Sequence, residues 1–461
     1  MTQSFNHQLK RSRLLCAIAV TLLSGMVSQS FAALSDYQSD LDSVTTDQGF
    51  ADQDARLTAL MDLIYDYKMT EYPETATWLG YLGQNNRWTD HSLVAINQRK
   101  RDSHTLLNAI KTIAITNLSD ASALDYQLLR KDLSYDVAAQ AFPDELMPVN
   151  QMGGVQQDLA QIIALMPNRQ LTDYQDIVAR LESADMLIEQ TVALLKRGLK
   201  AGITPAAITL RDVPSQVANQ IFVEPLDSPL LRPFTRFPKS ITIAQQAQLT
   251  ARATAAYRER IVPAYMALQS FLETDYLPNA VTSVGISNLA NGQAWYAHRA
   301  ARSTTTELSA ERIHALGLSE VARIRAAMDQ VIVESGFKGD FNAFTHFLRS
   351  DPRFYFTDKA DLMREYRDIA KRADAELPAL FGVLPRLPYG VKMIPSYAEK
   401  SQTTAYYQPG TLSMGRAGIF FANTYALDTR PKWEMEALTL HEAMPGHHLQ
   451  ISLAQEQSQL H

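Results

Sequence analysis

Apolar residues recur at the spacing of an α-helix along most of this chain, and this periodicity limits what the chain can fold into. The segment 52–68, for example, places Leu57, Leu60 and Ile64 on one face of a helix. The same spacing predicts further helices at 119–140, 172–200, 244–274, 308–335, 339–349 and 358–377. The sequence therefore predicts a mainly α, multi-helix fold.

One segment, 383–425, departs from the helical pattern. Aromatic and β-branched runs there are separated by prolines and by Pro409-Gly410, which is typical of strands joined by turns. We therefore predict a small β-hairpin or sheet at this point. A second proline-rich stretch, 223–240, predicts an extended loop or a sub-boundary within one large helical domain at 33–461.

The first 32 residues have the layout of a secretory signal peptide. They contain no acidic residue, and three cations precede a largely apolar run at 14–27. Small residues, Ser30 and Ala32, occupy the positions expected before a cleavage site. The apolar run is too short to span a bilayer comfortably, and an uncleaved membrane anchor is the alternative. We therefore expect a periplasmic or secreted protein without stable membrane insertion once residues 1–32 are removed.

Charge and cysteine content exclude two classes of function. Lys and Arg number 43 and Asp and Glu number 49, so the formal net charge is −6 and no basic footprint favours a nucleic-acid partner. The single cysteine, Cys16, lies within the predicted signal peptide. The mature chain would contain no cysteine, which excludes both disulfide bonds and thiol catalysis.

Three of the ten histidines fall in one window, 441–448, with the sequence HEAMPGHH. The preceding segment, 430–440, has the pattern of a helix, so His441 and Glu442 are expected on a helix. In the HExxH motif of zinc peptidases, two histidines one turn apart bind zinc and the adjacent glutamate activates the metal-bound water. The pattern therefore favours a zinc site, and the alternative is a helix end with surface histidines.

The spacing of these histidines differs from HExxH, in which the second ligand follows about 6 Å along the helix axis. Here His447 and His448 would follow His441 by about 9 and 10.5 Å along a regular helix. Zinc–nitrogen bonds of about 2.0–2.1 Å cannot bridge that separation. A kink at Pro445-Gly446 would return one histidine to the metal, and the two inserted residues favour His447 over His448.

With these motifs, the chain resembles the bacterial domain of unknown function 885 family (DUF885), which looks like a divergent branch of the gluzincin metallopeptidases. The resemblance covers nearly the whole mature chain, and its most specific part is HEAMPGHHLQ at 441–450. The other segments that carry it are STTTELSAERIHALG at 303–317, LPRLP at 384–388, YYQPG at 406–410 and GRAGIFFANT at 415–424.

The resemblance implies a mainly helical hydrolase of the peptidase class that requires Zn²⁺. It implies His441 and either His447 or His448 as metal ligands, with Glu442 as the general base that takes a proton from the metal-bound water. A peptide substrate is implied as the partner, but no particular sequence of that peptide.

The chain departs from the family after the histidine motif. Family members continue further, and a later helix with a Glu-Gly-Trp-like motif looks like the source of their third metal ligand. Only thirteen residues follow His448 here, so we expect a chain that lacks its C-terminal part. Glu434, Glu436 and Glu456 are nearby carboxylates, but their spacing singles out none of them as the missing ligand.

Three further residues are candidates for substrate binding. The strand Ile419–Asn423 would be an edge that pairs with an extended peptide, and Asn423 would bond to the substrate main chain. Arg416 would pair with a carboxylate terminus, and Tyr407 would donate a hydrogen bond to the reacting group. The alternatives are a buried hairpin capped by Asn423 and tyrosines that pack within the sheet.

Together these features predict an exported zinc peptidase that acts on short peptides. Two alternatives stay open at this stage. The same zinc chemistry would hydrolyse another amide or an ester, and a protein without the third metal ligand would be a catalytically inactive binding protein. The peptidase is the function that the motif and the family resemblance favour.

Overall fold

The computed structural model of the chain describes residues 37–457. Within them the fold is mainly helical, with one three-stranded sheet that lies just before the histidine motif in sequence. The predicted fold class, a large multi-helix fold with a small sheet before the helix that carries His441, is therefore confirmed. The predicted signal peptide, 1–32, lies outside the described residues.

The helices and strands are numbered in chain order. The α-helices are α1 (37–46), α2 (Gln53–Glu71), α3 (Pro73–Leu79), α4 (Leu93–Lys111), α5 (Asp120–Ala139), α6 (Val155–Leu165), α7 (Leu171–Glu182), α8 (Ala184–Ala201), α9 (Ala207–Leu210), α10 (Val213–Ala218), α11 (Ile243–Ala256), α12 (Val262–Phe271), α13 (Gly292–Thr304), α14 (Ala310–Glu334), α15 (Phe341–Ser350), α16 (Lys359–Leu380), α17 (Lys432–Glu442) and α18 (His447–Glu456). The strands are β1 (Tyr389–Met393), β2 (Ala405–Gln408) and β3 (Gly418–Ala422). No helix among the described residues combines the length and the hydrophobicity needed to cross a bilayer.

Two of the predicted helices are divided in the structure. The predicted helix 172–200 becomes α7 and α8, because Ser183 leaves helical geometry between them with φ −118° and ψ 4°. The predicted helix 244–274 is interrupted by a π-helical turn, Tyr257–Ile261, just before Pro263. Proline lacks the N–H that would bond one turn back, and the wider turn accommodates it.

The chain divides into two compact units, each with its own core. The described part of the first unit comprises residues 37–68 and 97–138. Its core consists of the buried side chains Leu41, Val44, Leu57, Leu60, Ile64, Leu106, Leu107, Ala109, Ile110, Ile113, Tyr126 and Leu133. The buried guanidinium of Arg56 donates to the backbone carbonyls of Val44 (2.6 Å) and Thr45 (3.1 Å), so its polar atoms are satisfied inside this unit.

The second unit contains residues 69–96 and the described chain from 139 onward, including the sheet and the histidine motif. Its largest core cluster draws on α6, α7, α8, α11 and α12. The segment 223–240, for which the sequence predicted a loop or a sub-boundary, lies inside this unit. It forms short 3-10 helices, and Leu230, Leu231 and Phe234 are buried in the core. Proline-rich backbone is therefore held here by its apolar side chains.

The sheet has the strand order β1–β3–β2. Strand β3 is central, because it pairs in parallel with β1 and antiparallel with β2. Its Phe420 is fully buried and contacts the ring of Tyr366 from α16. The expectation that Ile419–Asn423 forms an edge is therefore wrong: both sides of β3 are already paired, and the edges of the sheet are β1 and β2.

Strand β2 directs part of its backbone away from the sheet. The N–H of Asn423 donates to the carbonyl of Thr404 (3.0 Å), which makes these residues a hydrogen-bonded pair of the ladder. Such pairs alternate along antiparallel strands, so Tyr406 bonds to β3 while Ala405 and Tyr407 direct their N–H and C=O groups outward. The outer edge of β2 thus presents main-chain groups that are not used by β3.

Replacing Phe420 with alanine tests how far the second unit depends on the central strand. We expect Phe420→Ala to lower the free energy of unfolding by about 3–5 kcal/mol, because a large buried ring is lost and a cavity remains. Urea denaturation measures this loss. The half-buried neighbour Phe421 is the matched control, and Phe421→Ala should be clearly less destabilising. Equal losses at the two positions would contradict the assigned burial.

Candidate metal centre

Helix α17 carries the first two residues of the histidine motif. It begins at Lys432, and its buried face, which includes Met435 and Glu442, packs toward α16 and β2. His441 lies on the exposed face of the same helix. The helix ends at Glu442, because Ala443 adopts non-helical φ and ψ values of −100° and −111°. The last turn of α17 therefore presents one exposed imidazole and one shielded carboxylate.

A tight turn at 443–446 connects α17 to α18. The N–H of Gly446 donates to the carbonyl of Leu440 (2.9 Å), which folds the chain back over the end of α17. Gly446 comes so close that an added Cβ would overlap the carbonyl oxygen of His441. Only glycine fits this approach, and α18 begins directly afterwards at His447.

The turn brings His441, Glu442 and His447 together. One potential ligand atom from each lies within 4.8 Å of the others, and within residues 37–457 no other group of His, Cys, Asp and Glu has this spacing. The two imidazole rings are 4.6 Å apart between centroids and inclined at 82°. His447 Nε2 lies 3.9 Å from Glu442 Oε2. The turn thus removes the separation of about 9 Å that a regular helix would impose on the histidines.

Glu442 is shielded from solvent, with 6% of its surface exposed. Its Oε2 has no hydrogen-bond partner among the described residues. Burial raises the pKa of the carboxyl above its usual value, and His447, His441 and the backbone amide of Tyr407 partly oppose that rise. Because burial disfavours the charged form, this carboxylate is a better proton acceptor than one in water, and Oε2 is open to a cation or a proton.

His448 is turned away from this group and is 1% exposed. Its Nε2 lies 2.9 Å from the carbonyl oxygen of Leu387, and its Nδ1 lies 2.7 Å from the hydroxyl of Tyr407. A carbonyl only accepts, so Nε2 carries the proton and Nδ1 accepts from the hydroxyl. Burial lowers the pKa of the ring, which favours this neutral form. Of the two histidines that the sequence left open, the structure brings His447 to His441.

Asn423 is buried where the sequence predicted a contact with substrate. Its Nδ2 donates to the carbonyls of Glu399 (2.7 Å) and Thr403 (3.0 Å), and its Oδ1 accepts from the N–H of Tyr425 (2.9 Å). With 1% of its surface exposed and its amide fully bonded, Asn423 has no group left for a peptide main chain. The structure corrects the prediction in favour of the alternative, a capping asparagine at the end of the strand.

Arg416 also serves the fold instead of a substrate carboxylate. Its two terminal nitrogens donate to the carbonyls of Leu165 (2.9 Å), Thr77 (3.4 Å) and Trp78. Burial lowers the pKa of the guanidinium to about 10. The predicted pairing with a carboxylate terminus is corrected, because backbone carbonyls occupy these donors. The hydroxyl of Tyr407 already donates its proton to the buried imidazole of His448, and a contact of Tyr407 with substrate stays a prediction.

The three nearby carboxylates stand apart from the group in the described structure. Glu456 accepts from the backbone N–H groups of Arg386 (2.6 Å) and Leu387 (3.2 Å) and from the Arg386 side chain (3.1 Å). Glu434 and Glu436 lie on the exposed side of α17. Within residues 37–457, the carboxylate that accompanies the two histidines is therefore Glu442.

The donor set fits a divalent transition-metal ion. Imidazole nitrogen and carboxylate oxygen are both ligands that Zn²⁺ accepts, at distances of about 2.0–2.2 Å. Glu442 Oε2, a buried oxygen without a bonded partner beside these imidazoles, would accept a hydrogen bond from water held by such an ion. The residues at this centre are thus compatible with Zn²⁺, the cofactor that the sequence predicts.

Comparison with known proteins supplies the family. Residues 73–461 match the family described as bacterial protein of unknown function (DUF885). The chain belongs to the DUF885 family. No curated protein matches this DUF885 chain significantly. The family resemblance predicted from the sequence is therefore confirmed, while the description of the family names no activity.

Two solved structures share the fold of this DUF885 protein. A "putative lipoprotein" from Colwellia psychrerythraea aligns with a TM-score of 0.81 at 21% identity, covering 89% of this chain and 74% of that one. A "putative lipoprotein of unknown function" from Shewanella oneidensis aligns with a TM-score of 0.59 at 14% identity, covering 87% of this chain and 72% of that one. At these identities the similarity shows the fold alone.

Substitution of Gly446 tests the turn of this DUF885 protein. We expect Gly446→Ala to lower the free energy of unfolding by about 1–3 kcal/mol, because the new methyl group must displace the last turn of α17. Chemical denaturation measures the effect. Gly382→Ala is the matched control, since no atom lies within 4 Å of its added Cβ. A Gly446→Ala variant as stable as Gly382→Ala would contradict the turn.

Substitution of Asn423 separates a structural role from a role in substrate binding. Asn423→Ala removes the partner of three backbone carbonyls and one N–H, so we expect the free energy of unfolding to fall by about 1–3 kcal/mol. Thermal or chemical denaturation measures it. Asn342→Ala, at an exposed position of α15, serves as the control and should change stability by less than about 0.5 kcal/mol. Unchanged stability of Asn423→Ala would restore the substrate-binding interpretation.

Proposed function

We propose that this chain is an exported, Zn²⁺-dependent hydrolase that cleaves short peptides, with Glu442 as the general base. The observation that carries the proposal is the group formed by His441, Glu442 and His447, whose potential ligand atoms lie within 4.8 Å of one another. Hydrolysis of a peptide bond requires both an activated water molecule and stabilisation of the negative charge that develops on the carbonyl oxygen.

The two histidines would hold the ion through their ring nitrogens. Zn²⁺ at this position would supply Lewis acidity, which stabilises negative charge on oxygen and lowers the pKa of water. His441 is exposed, whereas Glu442 is covered by protein. This difference supports a centre that is open to substrate on the side of His441 and keeps its base shielded from bulk water.

Glu442 is suited to move a proton in both directions. Its Oε2 takes a proton from the attacking water while the water oxygen forms a bond to the scissile carbonyl carbon. The C–N bond then breaks as the same oxygen passes the proton to the leaving nitrogen. Burial, which raises the pKa of this carboxyl, brings it closer to neutral pH and so favours transfer in both steps.

The outer edge of β2 supports an extended peptide as the substrate. Ala405 and Tyr407 direct backbone groups away from β3. The carbonyl of Ala405 accepts from the Thr403 hydroxyl (2.8 Å), and the backbone N–H of Tyr407 lowers the pKa of the Glu442 carboxyl beside it. A peptide that pairs with this edge through its main chain would lie extended beside the general base. Main-chain pairing needs several consecutive peptide groups, so this edge favours a peptidase over a hydrolase of an isolated ester or amide.

The exported location rests on two observations. The N-terminal 32 residues have the composition of a secretory signal peptide. The two similar structures are each described as a "putative lipoprotein", which is the description of an exported protein of the cell envelope. Both observations support an extracytoplasmic peptidase.

Metal content and cleavage test the proposed function together. We expect about one zinc per chain by elemental analysis, held by the ring nitrogens of His441 and His447. His441→Ala should lose the metal, because it removes one ring nitrogen. Glu442→Gln should fold and abolish cleavage of a mixed peptide library, followed by mass spectrometry, because the amide is not a base. His314→Ala, at an exposed histidine of α14, is the control and should keep both metal and cleavage.

Three outcomes would count against this proposal. A wild-type chain without metal would favour an inactive binding protein. Equal cleavage by wild type and Glu442→Gln would exclude Glu442 as the base. A zinc-containing chain that hydrolyses ester or simple amide substrates and leaves the peptide library intact would favour the non-peptidase hydrolase.

A further inference from the structure

The adjacent histidines His447 and His448 have opposite surroundings. His447 is half-buried and faces His441, whereas His448 is buried among residues of the sheet region. Both residues belong to the first turn of α18. Because they are consecutive on one helical turn, holding the backbone at His448 sets the direction of the Cα–Cβ bond of His447. The contacts of His448 therefore bear on the position of His447.

The ring of His448 is held on every side. Its Nε2 donates to the carbonyl of Leu387, and its Nδ1 accepts from Tyr407 (2.7 Å) and from Ser452 (3.2 Å). The ring of Tyr389 lies 4.7 Å from it between centroids. An imidazole with both nitrogens bonded and an aromatic ring against its face has one orientation available, so the first turn of α18 is fixed to the sheet region.

Tyr407 lies beside His448, His447 and Glu442, each through a different group. Its hydroxyl donates to His448, its ring lies nearly parallel to that of His447 at 6.4 Å between centroids, and its backbone amide faces Glu442. The adjacent Tyr406 points to the other side of β2, where its ring stacks on Phe421 at 5.1 Å. Two neighbouring tyrosines of one strand thus have distinct surroundings, and one of them meets the metal centre.

The backbone around Tyr407 and His448 is packed without spare room. A Cβ added to Gly418 would overlap the Tyr407 hydroxyl and would lie 2.9 Å from His448 Nδ1. The backbone of β3 at Gly418 therefore packs directly against the hydrogen bond between Tyr407 and His448. Neither the Tyr407 hydroxyl nor the His448 ring has room to move toward β3, because the backbone at Gly418 already lies against both.

We propose that Tyr407 and His448 form a positioning pair that orients His447 for metal binding. The inference rests on the proposed function, because it assigns a role toward the same ion. Neither Tyr407 nor His448 is a proposed ligand of the metal. Their hydrogen bond holds the first turn of α18 and the ring that lies beside His447.

The expected size of the effect follows from the behaviour of groups that support metal ligands. Loss of such a partner typically lowers metal affinity by about 10–100-fold, because the ligand then samples orientations that do not bind. Tyr407→Phe removes one hydroxyl and keeps the ring, so we expect the lower end of that range, about 10-fold. The loss should appear in affinity at temperatures well below unfolding.

The experiment measures the binding of Co²⁺ and Zn²⁺ to the full chain by competition with a chromophoric chelator. The absorption spectrum of bound Co²⁺ reports the coordination geometry directly, and the melting temperature of the metal-free protein reports the fold. Tyr407→Phe is compared with Tyr406→Phe, which removes a hydroxyl from the same strand on the side away from the centre. We expect weaker binding and an altered Co²⁺ spectrum for Tyr407→Phe alone, with melting temperatures near that of wild type.

A double-mutant cycle shows whether Tyr407 acts through His448. If it does, Tyr407→Phe should have little further effect on metal affinity in a His448→Gln background. If His448→Gln fails to fold, the comparison of Tyr407→Phe with Tyr406→Phe decides by itself. Wild-type affinity and spectrum in Tyr407→Phe would overturn the positioning pair while the proposed function stands. A wild-type chain that binds neither ion would overturn both.

Discussion

The contact between Gly446 and the last turn of α17 is the constraint on which the histidine motif depends. A regular helix would carry the second histidine past the first along the axis, out of reach of any shared ion. Here the backbone folds over the end of the helix, bonds back to the carbonyl of Leu440, and starts a new helix at His447. The contact is possible because residue 446 has no side chain, so one absent methyl group permits the convergence of two imidazoles and a carboxylate.

The sheet determines what surrounds this convergence. Because β3 is central, its buried Phe420 joins the sheet to α16, and the strand beside the candidate metal centre is β2. Asn423, directly after β3, has a structural role: its side-chain amide donates to backbone carbonyls of the 399–403 loop and accepts from the N–H of Tyr425. Asn423 thus stabilises the backbone near the candidate metal centre, whereas His441 faces solvent. In this protein, main-chain groups of β2 face outward.

Much of the fold was predictable from the sequence because it rests on local patterns. Apolar spacing located most of the helices, and the proline-glycine pair at 445–446 indicated the break that joins His441 to His447. Strand order was not predictable, because parallel pairing of β1 with β3 depends on contacts across many residues. The structural roles of Asn423 and Arg416 were not predictable either. Their side chains bond to backbone carbonyls, which every residue has and which no sequence motif identifies. Leu387 was missed in the same way, since it contributes its carbonyl to His448 and not its side chain.

Helix α18 is attached to the 386–387 segment at both of its ends. In its first turn His448 bonds to the carbonyl of Leu387, and in its last turn Glu456 accepts from the N–H groups of Arg386 and Leu387. A helix held at two points cannot pivot about either one without breaking the other attachment. It therefore connects the segment leading into β1 to the turn at Gly446 and fixes the backbone from which the His447 side chain projects.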